Sequence, residues 1–285
     1  MAAWSSERRD DPSPCREQDH GRFEVTQRDG RARLGKLHTH HGILETPALL
    51  PVVNPNIRTI EPREMWDHYG IQALITNSYI MWKHDDLRKT AQQDGVHKLL
   101  DFPGVIMTDS GTFQSYVYGD VEVGVGEIVD FQRSIGVDIA TMLDVFSRPD
   151  MKSKEVEDAV RETDARASAS LEAAGDIMLN GPIQGGVFRE LRHISAQLMG
   201  QHPFSVHPIG GIVPIMEQQR YKDYAKVTSR LYRARSCSFS LAFIERTSVG
   251  VCWATHGISM GQSTNSSMRS VPHGVSRRPS RANKA

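Results

Sequence analysis

Short apolar runs recur along this chain, and each of them ends in small or polar residues. Six are evident, at 45–54, 71–79, 104–110, 138–144, 176–184 and 204–211. Continuous apolar runs of this length are typical of strands buried on both faces, as in a parallel sheet. The stretches between them carry apolar residues at helical spacing. The pattern predicts an α/β fold with six clear strand–helix units.

Helix boundary signals support this division. Pro62 stands where a first helical turn tolerates proline. Gly136 and Gly175 stand where two helix-like stretches end, as C-terminal caps do. The polar residues always follow the strand, at the end where (β/α) barrels build their active sites. We therefore expect a TIM-type barrel, incomplete at six units. A doubly wound sheet is the alternative, but no GxGxxG follows the first strand.

The segments outside the repeated pattern differ in composition. Residues 1–20 are polar and charged, which predicts a disordered extension. Residues 23–39 alternate around Asp29-Gly30, which predicts a hairpin. Residues 228–285 contain twelve serines and nine Lys or Arg against one acid, whereas residues 1–227 hold 25 bases and 33 acids. We expect a barrel domain over 21–227 and a Ser/Arg-rich, non-homologous tail over 228–285.

Composition narrows the class of protein. Of 285 residues, 39% are hydrophobic and 24% charged, as in soluble globular proteins. No apolar run approaches the ~20 residues of a membrane span, and the N-terminus has no secretory apolar core. Three cysteines without a CxxC pair are too few for a disulfide framework. We expect a cytoplasmic protein that makes no membrane contact.

Polar residues stand at four successive predicted strand ends. They are Asp109 with Ser110, Asp144, Gln184, and the pair Gly210 and Gly211. In a barrel they converge on one pocket. A carboxylate there can accept two parallel hydrogen bonds from a guanine-like ring, amide and glycine N–H groups can donate to its O6, and Phe113 can stack on its face. The second carboxylate is then available for covalent or acid–base work. Each residue taken alone also fits a turn or a helix cap.

The segment "LHTHHG" invites a different interpretation. His38, His40 and His41, completed by His207 and Asp144, would suit a metal-dependent barrel hydrolase. The triplet, however, precedes the first core strand and lies within the predicted hairpin. We favour a solvated turn and assign no metal ligand.

Several long motifs in order resemble those of archaeal-type tRNA-guanine transglycosylases. They are "ETPALLPVVNPN", "LITNSYI", "MTDSGTFQ", "YGDVEV", "FQRSIGVDI", "GPIQGG" and "PIGGIVPIMEQQRY". The resemblance implies a TIM-barrel pentosyltransferase that exchanges guanine-15 of the tRNA D-arm for 7-cyano-7-deazaguanine, a step of archaeosine biosynthesis, through a covalent Asp–ribose intermediate. Its partners would be tRNA, guanine and 7-cyano-7-deazaguanine.

The resemblance also implies residue roles. Asp109 matches one of two family aspartates that serve as nucleophile or as acid and base. Asp144 matches the residue that binds the purine edge, Gln184, Gly210 and Gly211 match residues that contact the base, and Phe113 matches the stacking aromatic.

The sequence departs from the family pattern after about residue 227. The family has a second aspartate in a "DLFDSA"-like segment and a Cys-x-Cys-x2-Cys zinc site in the region through which members usually form homodimers. We expect Zn²⁺ in the full-length family, but its ligands are absent from this chain, so we interpret the chain as truncated or frame-disrupted. Weak exchange or none is expected, with a non-catalytic purine-binding protein as the alternative.

Overall fold

A three-stranded antiparallel sheet opens the fold in the computed structural model, which describes residues 8–29, 32–112, 123–148, 150–211 and 251–253. A 3-10 turn, Glu17–Asp19, precedes its strands β1 (Phe23–Asp29), β2 (Ala32–Thr39) and β3 (Gly42–Thr46). The predicted hairpin is confirmed, because β1 and β2 pair up to Asp29 opposite Ala32. Of the expected turn residues Asp29 and Gly30, Asp29 ends β1 as a strand residue, and residues 30–31 lie outside the described ranges.

A second sheet contains strands that match the predicted apolar runs. They are β4 (Leu49–Val53), β5 (Ala73–Asn77), β6 (Val105–Asp109), β7 (Ile139–Thr141) and β8 (Met178–Asn180), all mutually parallel. The sixth run continues the sheet through parallel bridges from Asn180 to Val206 and from Ile183 to Ile209. All six predicted strand positions are therefore confirmed.

The order of these strands identifies the architecture. β4 to β8 lie side by side in chain order. A doubly wound sheet reverses its strand order part of the way across, so that alternative is wrong. Sequential parallel strands joined through helices are the arrangement of a (β/α) barrel. The described strands form an arc of such a barrel, and β9 (Val251–Trp253) pairs antiparallel with β4 at one edge.

Helices connect the parallel strands. They are α1 (Pro62–Asp67), α2 (Ser78–Lys83), α3 (Asp85–Asp94), α4 (Val96–Leu100), α5 (Val125–Ser134), α6 (Ser153–Ala165), α7 (Ala167–Ala174) and α8 (Arg189–Met199). Pro62 begins α1, and Gly136 and Gly175 follow α5 and α7 with positive φ, as predicted. The stretch 153–175 forms two helices that meet at Arg166. In the described ranges no helix is both long and apolar enough to cross a membrane.

Alternate residues of the parallel strands face two different cores, as the period of a strand requires. One core, beneath the helices, includes Leu74, Ile106, Ala140 and Leu179. The other, inside the arc, combines Leu37 and Leu44 of the antiparallel sheet with Leu50, Ala73, Ile75, Val105, Met107, Ile139, Met178 and Val206. The backbone N–H of Glu45 donates to Gln72, the residue before β5. The antiparallel sheet therefore covers the N-terminal end of the parallel strands.

The inner face of the arc changes from apolar to polar along each strand. Ala73 and Ile75 are followed at the next inward position by Asn77, and Val105 and Met107 are followed by Asp109. Apolar side chains fill the part of the inner face that lies against Leu37 and Leu44, which form its floor, whereas carboxylate and amide groups stand at the C-terminal ends. This gradient places the polar residues where the following loops can supply a pocket wall.

Within the N-terminal segment 1–20, residues 9–11 contact α1. The Arg9 guanidinium lies 4.1 Å from the centroid of the Trp66 ring, and the Trp66 indole donates to the Asp10 carbonyl at 3.3 Å. Arg63 forms an ion pair with Asp11 at 2.7 Å. The sequence pattern could not reveal this docking, since the partners are more than fifty residues away. Residues 1–7 lie outside the described ranges.

Candidate active site

Asp109 ends β6, on the inner face of the arc, and is partly buried. Its Oδ1 accepts from the backbone N–H of Gly111 at 3.3 Å, and its carbonyl accepts from the Ser78 hydroxyl at 2.7 Å. Burial, assisted by the charge of Asp144, raises the pKa of Asp109 to about 6. A carboxyl group that titrates near neutral pH can both give and take a proton.

The turn after Asp109 brings β6 close to its neighbours. Gly111 has φ +93°, and a Cβ there would lie 2.3 Å from the Tyr79 Cβ, so only glycine fits. Ser110 is fully buried, with its hydroxyl 3.3 Å from that of Thr112. The Thr112 hydroxyl also donates to the Asp144 carbonyl at 3.2 Å. The turn thus connects the two predicted carboxylates, Asp109 and Asp144. That Ser110 contacts substrate stays a prediction.

Asp144 and Gln184 form a buried hydrogen-bonded pair. The Gln184 Nε2 donates to the Asp144 Oδ2, and the Gln184 Oε1 accepts from the backbone N–H of Ser147 at 3.4 Å. Burial raises the pKa of Asp144, although hydrogen bonds from Thr112 and Gln184 act against the shift. The structure therefore brings Asp144 and Gln184 together, from strand ends 40 residues apart.

Gly210 and Gly211 lie against the same pair. A Cβ on Gly210 would stand 2.3 Å from the Gln184 Nε2, so the backbone approaches the amide as closely as glycine permits. The Gly210 N–H donates to the Ile183 carbonyl at 2.9 Å. Gly211 has φ +66°, a conformation that L-residues with side chains rarely adopt. The loop after β8 and the loop after the sixth strand are thus in direct contact.

Arg192 of α8 is a residue that the sequence interpretation missed. Its side chain is fully buried and hydrogen-bonds to the carbonyls of Ile183, Gly186 and Gly210. A sequence signal did exist: Arg192 shares the buried helix face of Ser195, Ala196 and Met199, at helical spacing. An arginine on the apolar face of a helix indicates that buried polar groups bind its guanidinium.

A separate polar cluster lies at the opposite end of the strands. Asp138, directly before β7, accepts from His41 Nδ1 and His97 Nε2, each at 3.1 Å. Burial raises the pKa of Asp138, but hydrogen bonds from His41 and His97 outweigh burial and lower this pKa well below its usual value. Our solvated-turn interpretation suits His40, which is exposed, and is wrong for His38, which is buried in β2.

The Asp138 cluster has the ligand types of a metal site but the geometry of a hydrogen-bond network. His41, His97 and Asp138 offer three ligand atoms within 4.8 Å of one another. His97 Nε2, however, also lies 3.1 Å from the Gly104 carbonyl, which can only accept, so that nitrogen carries a proton. The two imidazole rings stack at 3.4 Å, with nearly parallel planes. This cluster contains no cysteine and does not fit the zinc implied by the family.

The hydrolase alternative finds no support in this geometry. His41 lies at the N-terminal end of β7, and Asp144 follows its C-terminal end. His207 is buried beside the Gly181 carbonyl at 3.2 Å. Phe113, the predicted stacking aromatic, lies outside the described residues. Of the predicted site residues that are described, Asp109, Ser110, Asp144, Gln184, Gly210 and Gly211 all stand at the C-terminal strand ends.

Comparison with known proteins agrees with this arrangement. A family model, queuine tRNA-ribosyltransferase, matches residues 28–237. A tRNA-guanine(15) transglycosylase of Thermoplasma acidophilum is 50% identical over 199 residues, which are 70% of this chain and 31% of that protein. Relatives of the same name from Methanosarcina acetivorans and Methanopyrus kandleri are each 45% identical, over 72% of this chain and 42% and 44% of their own lengths.

The matched region contains strands β2 to β8 and the loops that follow the parallel strands. This chain spans less than half the length of the curated relatives it matches. The family model nevertheless covers well over half of the chain, including every described candidate residue at the strand ends. The chain belongs to the queuine tRNA-ribosyltransferase family.

Proposed function

We propose that the site at the C-terminal strand ends binds a guanine-type base during base exchange on tRNA. The observation that carries the proposal is the contact of Gln184 with both Asp144 and Gly210, beside Asp109. These groups come from separate strand ends, and together they place a carboxylate, an amide and open glycine backbone in one place. The names of the matched relatives, tRNA-guanine(15) transglycosylase, support the same activity.

Base recognition follows from the chemistry of the paired groups. Asp144 accepts hydrogen bonds only, which suits the adjacent N1–H and N2–H₂ donors of guanine. Its Oδ2 already accepts from Gln184, and this contact fixes the orientation of the carboxylate. Adenine presents an acceptor at N1 and no N2 amino group, so it would give the buried Asp144 carboxylate no donor beyond Gln184, at a cost of about 1–3 kcal/mol.

Asp109 is the proposed proton carrier. When the glycosidic bond between C1′ and N9 breaks, guanine leaves with the electron pair and takes a proton from Asp109. The resulting carboxylate then accepts the N9 proton of the incoming base, whose N9 bonds to C1′. A pKa raised to about 6 suits both directions of transfer. The resemblance implies that C1′ bonds in between to the carboxylate of the second family aspartate, which is not among the described residues, and that N9 of the incoming base displaces this carboxylate.

The finer assignments are also proposals. We propose guanine-15 of the D-arm as the departing base and 7-cyano-7-deazaguanine as the incoming base, in archaeosine biosynthesis. The relatives named tRNA-guanine(15) transglycosylase support the guanine-15 position. A cytoplasmic location and a homodimer are what family resemblance implies. No proposed step passes through a metal.

Calorimetry with guanine and with adenine tests base binding by this chain. We expect guanine to bind and adenine to bind at least tenfold more weakly. Asp144→Asn should weaken guanine binding at least tenfold, whereas Asp86→Asn, at an exposed carboxylate of α3, should leave it unchanged. Equal affinity for the two purines would contradict the proposed site.

Incorporation of radiolabelled guanine into tRNA tests the reaction itself. We expect slow incorporation that Asp109→Asn abolishes, because Asn can neither give nor take the proton. Guanine binding without any incorporation would favour the alternative of a non-catalytic purine-binding protein. Incorporation that persists in Asp109→Asn would refute the role of Asp109.

A further inference from the structure

Arg192 connects the two loops that carry the proposed base-binding residues. Its Nε donates to the Gly186 carbonyl at 3.0 Å, its Nη1 to the Ile183 carbonyl at 3.2 Å and its Nη2 to the Gly210 carbonyl at 3.0 Å. The side chain is fully buried in α8. Burying a guanidinium is costly unless its donors are satisfied, and here loop carbonyls satisfy three of them.

The peptide group between Gly210 and Gly211 has Arg192 at one end. Its carbonyl accepts from Arg192, and in a trans peptide the N–H of the next residue points away from that carbonyl. The Gly211 N–H finds no hydrogen-bond partner among the described residues. An N–H whose own peptide carbonyl is held by a cation is a stronger donor, because hydrogen bonds in a chain polarise one another.

We propose that Arg192 is a positioning residue, which directs and polarises the Gly211 N–H as a donor to the O6 atom of the bound guanine. This inference rests on the proposed function. Negative charge spreads over the purine, including O6, as the base leaves C1′. A preorganised donor at O6 stabilises that charge without reorganisation, as in oxyanion holes.

The shape of the guanidinium explains why arginine occupies this position. Its five donors lie in one rigid plane and reach the three carbonyls simultaneously. Lysine carries the same charge on a flexible stem, and its compact ammonium cannot span the same three acceptors. Arg192→Lys therefore keeps the positive charge of the side chain and removes the geometry of the guanidinium. Arg189→Lys, at an exposed position of the same helix, is the matched control.

Calorimetry with guanine and 6-thioguanine distinguishes this role from general support of the fold. 6-Thioguanine keeps the N1–H and N2–H₂ donors but replaces O6 by sulfur, a weak acceptor. We expect Arg192→Lys to weaken guanine binding about tenfold and 6-thioguanine binding less than threefold, since one hydrogen bond to O6 is lost. Arg189→Lys should change neither.

The outcomes separate the two proposals. If the unaltered chain binds guanine, and Arg192→Lys leaves that binding intact or weakens the binding of both ligands equally, the role of Arg192 is overturned while the proposed function stands. No guanine binding by the unaltered chain overturns both.

A second measurement applies if Arg192→Lys does not fold, as circular dichroism would show. Labelling with ¹³C-carbonyl and ¹⁵N glycine selects glycines that follow glycine, which in this chain are Gly186 and Gly211 alone. Gly186→Ala identifies the Gly186 signal by its loss. We expect guanine to move the Gly211 amide downfield further than 6-thioguanine does. An equal or absent shift overturns the proposal.

Discussion

Asp138→Asn is expected to destabilise the fold strongly, because one carboxylate serves four donors. Oδ1 accepts from the His41 N–H and His41 Nδ1, each at 3.1 Å, and Oδ2 accepts from His97 Nε2 at 3.1 Å and the Ile106 N–H at 2.9 Å. These donors belong to the β2–β3 turn, α4 and β6. Asp138 thus holds the antiparallel sheet to the N-terminal end of the parallel strands.

The magnitude follows from the number of lost bonds. Asparagine keeps one acceptor oxygen and turns an NH₂ group toward the other two donors, so about two charge-assisted bonds are lost. At about 1.5–3 kcal/mol each, the cost is about 3–6 kcal/mol. That is a large part of the 5–15 kcal/mol by which domains are usually stable.

Urea unfolding, followed by circular dichroism, measures this cost. Asp130→Asn is the control, because Asp130 forms only an exposed pair with Arg133, worth under about 1 kcal/mol. Since the folded pKa of Asp138 is lowered, its stabilisation is complete above the unfolded pKa of about 3.9 and fades as pH falls toward the folded value. The deficit of Asp138→Asn should therefore be present at pH 5 and shrink below about pH 4. A cost no larger than that of Asp130→Asn would refute the reasoning.

Three further predictions concern the candidate site and the N-terminal segment. Asp109→Asn should raise the free energy of unfolding by about 1–3 kcal/mol at pH 7, because the raised pKa means that the folded state disfavours the charged form. This gain in the free energy of unfolding should vanish below about pH 4, where Asp109 is protonated in the folded and the unfolded state. Urea unfolding at pH 7 and below pH 4 measures the gain, and an equal gain at both pH values would contradict the reasoning. Gly111→Ala should lower the free energy of unfolding by about 2–4 kcal/mol in the same assay, because of the positive φ and the clash with Tyr79. Gly70→Ala is the control, since Gly70 has φ +65° but open space around it, and it should cost about 1 kcal/mol. Equal costs would disprove the close approach of Gly111 to Tyr79. Arg63→Ala should increase protease cleavage within residues 8–20 by loss of the Asp11 ion pair, measured by mass spectrometry, and an unchanged cleavage pattern would show that this pair does not hold the segment.

Local pattern sufficed to predict the strands and their polar ends. The run that became β6 is apolar through Met107 and then meets Asp109, and this pattern depends only on neighbouring residues. The convergence of Asp144 and Gln184 followed from the rule that barrel strands present their C-terminal ends together. Both predictions used periodicity and topology, which a single sequence displays.

Long-range pairing is what the sequence could not reveal. His41 and Asp138 are 97 residues apart, and neither has a local feature that names the other as its partner. The docking of Arg9 on Trp66 is of the same kind. Arg192 could have been suspected from its place on an apolar helix face, but its carbonyl partners depend on loop conformations set by Gly186 and Gly210.

The floor formed by Leu37 and Leu44 has a kinetic consequence for the proposed base exchange. Among the described residues the N-terminal end of the strands is covered, so the proposed site exchanges its base at the C-terminal end. In the proposed reaction a nucleotide of tRNA rotates out of its stack to reach the strand ends. The departing guanine occupies the same subsite that the incoming base needs, so release must precede the second binding step. Initial rates measured against both substrates should consequently give parallel double-reciprocal lines, the signature of a ping-pong order.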